Sequence, residues 1–122
     1  MNLEIQELDG LFAICRLKSF DSVNLDSPFT FCARTDEECS LVCPVECVPD
    51  LDDKNILERS DDWRGFRVKG VLDFSLVGIL AKISGLLAEN DIALFAVSTF
   101  NTDYIFVKSD KFNDALNLLN NV

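Results

Sequence analysis

Gly78 and Asp103 are the residues whose surroundings suggest the clearest chemistry. Apolar residues at Leu76, Ile79, Leu80, Ile83, Leu86 and Leu87 have helical spacing, so Gly78 falls in the first turn of a helix over 76–90. A helix start offers unpaired backbone N–H groups and about half a unit of positive charge. A residue without a side chain lets a carboxylate approach them. Asp103 falls at the mouth of a strand hairpin, where it can accept hydrogen bonds from an α-ammonium. Together they make a receptor for a zwitterion, with Thr99 and Thr102 as polar contacts and Phe100 as an apolar wall. Each residue also fits a plainer role. Gly78 suits close packing of helix on sheet, Asp103 a turn, Phe100 the core, and Asp73 an N-cap.

Other groups offer less. Cys39, Cys43 and Cys47 recur every four residues, but Pro44 would break a helix carrying them. On a strand they share a face and read as small apolar side chains packed inward. There is no paired C-x-x-C and no histidine, so no metal is expected. The acidic stretch Asp50 to Asn55 lacks the glycine and the closing glutamate of a calcium loop and reads as a solvated linker. The absence of histidine removes the commonest general base. No glycine-rich phosphate loop is present, and no serine or cysteine nucleophile has a recognisable partner. A non-enzymatic protein without cofactor is the expectation.

The elements that must position Gly78 and Asp103 lie in the second half. Residues 63–71 alternate as a strand, and Asp73-Phe74-Ser75 supplies N-cap candidates for the helix. A strand over 92–99, a turn at Asn101-Thr102 and a strand over 104–107 form the hairpin. Asp110 caps a last helix whose apolar face is Phe112, Ala115, Leu116 and Leu119. The first half reads as strands over 3–8, 11–17, 29–33 and 39–43. Asp9-Gly10 is a hairpin turn between the first two, and 21–28 is a polar turn or short helix. The acidic stretch from Pro49 to Asp62, a loop or weak helix, divides modules 1–60 and 61–122. The fold class is α+β.

The net charge is −10, with −8 of it in residues 1–60. Such a field repels polyanions, so neither nucleic acid nor an anionic membrane is an expected partner. No run of about 18 apolar residues exists. Glu4, Glu7 and Asp9, without a basic residue before Gly10, do not fit a secretory or transit segment. The cytoplasm is therefore the expected location, and five cysteines, an odd number, are expected as reduced thiols.

The run from Gly70 to Leu80 and the segment Ile92 to Val107, with Ser98-Thr99-Phe100-Asn101-Thr102-Asp103-Tyr104 at its centre, resemble an ACT domain. More narrowly they resemble small bacterial ACT-like proteins related to the animal cytosolic arginine sensors. Leu11 to Leu17 and Arg34 to Ser40 extend the likeness weakly into the first half. The resemblance implies two ferredoxin-like βαββαβ modules with antiparallel sheets, packed side by side, and a regulatory role. It implies a small ligand, an amino acid, at the module interface. Its contacts carry over to Gly78 and Ile79 at the helix, and to Thr99, Phe100, Thr102 and Asp103 at the hairpin. The second half is one strand short of that unit, so the strand over 3–8 is expected to complete its sheet. A homodimer is a further expectation. The alternative is an assembly or protein-interaction module without a small-molecule ligand.

Overall fold

The computed structural model describes residues 4–69 and 78–121. Seven strands and two α-helices are seen among them, an α+β arrangement rich in antiparallel sheet. The strands are β1 (Ile5–Glu7), β2 (Phe12–Leu17), β3 (Phe31–Arg34), β4 (Cys39–Pro44), β5 (Ile56–Val68), β6 (Phe95–Ser98) and β7 (Asp103–Lys108). The helices are α1 (Ile79–Glu89) and α2 (Phe112–Asn120). Short 3-10 turns cover Val45–Asp50, Asp53–Asn55 and Ser109–Lys111.

Chain contacts separate two compact units. An inserted unit, Gly10–Trp63, is contiguous in sequence. A helical unit combines the residues up to Asp9 with those from Arg64 onward. The boundary falls inside β5, beside Asp62, whose φ of 66° marks a backbone irregularity.

In the helical unit the strand row is β1-β5-β7-β6. β1 runs antiparallel to the end of β5, with Ile5 opposite Val68 and Glu7 opposite Phe66. Phe66 and Val68 share a core with Ile105 and Val107 of β7, Ile79, Ile83 and Leu87 of α1, and Phe112, Ala115 and Leu119 of α2. The four-residue spacing on α1 turns one stripe inward. Gly65 of β5 allows Phe106 to lie close; a Cβ there would sit 2.7 Å from the Phe106 ring.

In the inserted unit the row is β3-β4-β2-β5. Alternate residues of β2 and β4 face one core: Ala13, Cys15 and Leu17 with Cys39, Leu41 and Cys43, closed by Val48 and Leu51. Among the described residues this unit holds no α-helix. Counted in order of appearance, its four strands follow the row 2-3-1-4. The helical unit, counted from β5 and ending on β1, follows the same row.

Several expectations change here. Asp9-Gly10 is not the turn of a hairpin: β1 and β2 each pair with β5, on different stretches of it, and not with each other. The acidic stretch is not a linker up to Asp62, because β5 begins at Ile56. Asp50, Asp52 and Asp53 lie in or cap the 3-10 turns before it, whereas the later charges lie on β5, which ends the row of the inserted unit; there Glu58 pairs with Arg16 at 2.6 Å. Cys47 belongs to a 3-10 turn and not to the strand of Cys39 and Cys43. Ile92 precedes β6. It follows Asp91 (φ 59°) and donates to the Leu87 carbonyl at 2.9 Å, while Asp91 N donates to Ala88. That is a Schellman closure of α1, and it buries Ile92 against the helix end. Asp110 does not cap α2 through its side chain; it lies in a 3-10 turn, and Lys111 occupies the cap position.

Candidate ligand site

Gly78 is the N-cap of α1 and not a residue of its first turn. Its φ is 85°, a left-handed conformation that glycine adopts without strain. Its carbonyl accepts from Lys82 N at 2.8 Å, and no side chain of the described residues caps the helix. A Cβ on Gly78 would meet nothing within 4 Å among the described residues. Backbone conformation by itself accounts for a glycine here. Ile79 begins the buried stripe of α1. Asp73, Ser75 and Leu76, the other expected contributors to the helix start, lie outside the described residues.

The second component is the β6–β7 hairpin. Ser98 stands opposite Asp103 in register, and residues 99–102 form the connection. Thr99 N donates to the Thr102 carbonyl at 2.9 Å, and the Thr99 hydroxyl donates to the same oxygen at 2.9 Å. Thr102 N closes back on the Thr99 hydroxyl at 3.4 Å. The Thr102 hydroxyl is buried and donates to the Val68 carbonyl at 2.7 Å. The turn is thus tied to the end of β5. Asp103 is half-buried, and Ser98 Oγ donates to its carboxylate at 2.7 Å. Phe100, at the tip, is 79% exposed, which removes it from the core.

Thr102 is therefore a structural anchor of the turn, and the carboxylate of Asp103, with a remaining oxygen beyond the Ser98 bond, is its polar outlet. Two residues of this neighbourhood escaped the sequence reading. Ser98 could have been found by placing it across a four-residue loop from Asp103. Arg67 could not: it bridges strands, donating to Gln6 of β1 at 2.9 Å and to the Tyr104 hydroxyl of β7 at 3.0 Å. No local pattern in the sequence brings those three together.

Residues 58–121 match the family model of the ACT domain. Over 58 residues the chain is 40% identical to the human cytosolic arginine sensor for mTORC1 subunit 1 (Homo sapiens), a match that takes in 47% of this chain. The protein from Rattus norvegicus is 38% identical over 58 residues. The match spans only 18% of the length of these relatives. A crystal structure of an Agobacterium tumefaciens protein aligns over 99% of this chain and 89% of its own, with a TM-score of 0.82 and 27% identity. The aspartate kinase of Clostridium acetobutylicum aligns over 98% of this chain and 34% of its own, with a TM-score of 0.66 and 13% identity, a likeness of fold. No α-helix of the described residues is long and apolar enough to cross a membrane.

Proposed function

The chain belongs to the ACT-domain family, and on that footing we propose that it is a non-enzymatic regulatory protein that binds a small ligand, an amino acid, in the helical unit. The observation that carries this reading is the left-handed Gly78 at the start of α1, in the same unit as a hairpin that presents Asp103. Free N–H groups at a helix start attract a carboxylate, and Asp103 would receive the ammonium. Thr99 and Thr102 hold the hairpin in shape, Ile79 seats the helix on the core, and Phe100 offers an apolar surface beside the ligand. Each unit is read as an ACT-like module of ferredoxin-like topology, since both follow one strand row. The cytosolic relatives support a cytosolic setting.

A second reading rests on Phe100, whose exposure at a hairpin tip suits contact with another protein or a second copy of the chain. One experiment separates the two. A thermal-shift screen against the twenty amino acids should find a stabilising ligand; at a hundred times its dissociation constant the gain is about 2.7 kcal/mol. Calorimetry with that ligand should then show Asp103→Asn binding about ten- to a hundredfold more weakly, the loss of one charge-assisted hydrogen bond. Asparagine can still accept from Ser98, so the fold should persist. A screen in which no amino acid shifts the transition favours the interaction reading.

A further inference from the structure

The core of the inserted unit is covered in part by the loop between β2 and β3, residues 18–30, from which Phe20 and Val23 pack against it. The first part of this loop is well tied. Asn55 Oδ1 accepts from Ser19 N at 2.9 Å, and the Asn55 amide donates to the Ser19 carbonyl at 2.9 Å and to Ser22 Oγ at 3.3 Å. The second part is tied more weakly. Asn24 bonds within the loop, its carbonyl accepting from Ser27 N at 3.3 Å and its side-chain oxygen from Asp26 N at 3.1 Å. Ser27 Oγ lies 3.4 Å from Cys47 Sγ, a contact with a weak hydrogen-bonding partner.

Thr30 ends the loop. Phe29 before it has a φ of 61°, a left-handed conformation that a bulky residue adopts only at a cost. Thr30 Oγ1 is shut off from solvent and has no hydrogen-bond partner among the described residues. A hydroxyl in that position has lost its hydration with nothing returned. Thr30 also lines a small cavity, of about 30 Å³, between the loop on one side and β4 with the 3-10 turn Val45–Asp50 on the other. Leu41, Cys43 and Leu51 give it apolar walls, and Asn24 and Cys47 join Thr30 as polar ones. Cys47 is half-buried and packs against the core of the unit.

We propose that this cavity is the site of one structural water molecule, hydrogen-bonded to Thr30 Oγ1, which joins the end of the loop to the wall formed by β4 and the 3-10 turn. Size and chemistry agree on the occupant. A water needs about 10–15 Å³ of such space and two to four polar partners, whereas an organic ligand needs roughly ten times the volume present. Thr30 supplies one partner, and Asn24 and Cys47 offer the others on the same cavity. A metal ion fits poorly, since among the described residues no three histidine, cysteine or carboxylate groups are placed to hold one. The water gives the buried hydroxyl its partner and gives the second part of the loop the tie that its own hydrogen bonds lack.

The test compares the full chain with Thr30→Val and Thr30→Ser. Magnetic relaxation dispersion of the water oxygen counts long-lived waters without interference from exchanging hydroxyl protons. Thr30→Val should hold one such water fewer than the parent, and Thr30→Ser, which keeps the hydroxyl, the same number as the parent. Urea denaturation gives a second reading, in which the sign decides. Valine has the shape of threonine, so removing an unpartnered buried hydroxyl would raise the midpoint, whereas removing one bonded to a water lowers it. A lower midpoint is expected. The proposal is overturned if parent and Thr30→Val hold equal numbers of long-lived waters, or if the midpoint of Thr30→Val is unchanged or higher. A crystal structure of the parent without a water in hydrogen-bond reach of Thr30 Oγ1 overturns it independently of any variant.

Discussion

The hydroxyl of Thr102 donates to the backbone carbonyl of Val68 at 2.7 Å, across 34 residues of chain. A buried carbonyl at the end of β5 is satisfied by a side chain from the β6–β7 turn, so the position of the turn and the exit of the strand are set together. Thr102→Val keeps the shape and removes the donor. It should cost about 1–3 kcal/mol, the usual penalty for leaving a buried group unpaired. Thr102→Ser should recover most of that. Urea denaturation of the three proteins measures both.

Gly78 tests backbone strain without steric crowding. A Cβ there has open space among the described residues, but φ is 85°. Gly78→Ala should therefore lose about 1 kcal/mol from left-handed strain alone. Gly78→Asn should lose less, because asparagine tolerates this conformation, and Gly78→Val should lose more than alanine. Equal stability of the alanine and valine variants would contradict the strain argument.

Gly65 is the opposite case. Its backbone is unremarkable, but a Cβ would lie 2.7 Å and 2.8 Å from Phe106 ring atoms and 3.1 Å from Leu8 Cδ1. Gly65→Ala should destabilise by about 1–3 kcal/mol through overpacking. Phe106→Leu placed on top of it should recover part of the loss, a coupling that a double-mutant cycle reads directly.

The buried thiols predict a pH dependence. Burial, reinforced by the neighbouring Cys15 and Cys47 sulfurs, pushes Cys43 up from 9.0 to about 12. Burial also raises Cys15. The native state thus holds Cys43 protonated where the unfolded chain would release the proton. Stability should be fully present below pH 9 and decline between pH 9 and 12. Cys43→Ala should fall less steeply over that interval, whatever its starting stability. At pH 8 a thiol reagent should modify exposed Cys32 in the native protein and reach Cys43 only with unfolding.

Legibility in the sequence followed the physics of each segment. The stripe Ile79, Ile83, Leu87 and the pair of strands around residues 99–102 were readable because burial on one face imposes a period on the residues. The start of β5 was not, because Leu57, Glu58 and Arg59 are all exposed on a strand whose stability comes from its partner β2. Gly78 was found as a residue of interest but misplaced by three helical positions, since a left-handed N-cap has no mark in composition beyond glycine itself. Asp110 was assigned a cap by type, and the 3-10 turn before α2 took it out of reach. The Asp9-Gly10 pair signals a reversal, yet both strands it joins pair with β5, which lies far along the chain.

The insertion of residues 10–63 between β1 and its partner has a thermodynamic side. Pairing Ile5–Glu7 with Phe66–Val68 closes a loop that contains the whole inserted unit. When that unit is folded, its own contacts have already drawn the loop's ends together. When it is unfolded, the same pairing must meet the full entropy of ring closure. Damage confined to residues 10–63 therefore reaches β1 through chain connectivity alone, and anything that stabilises those residues tightens the edge of the helical unit without touching it.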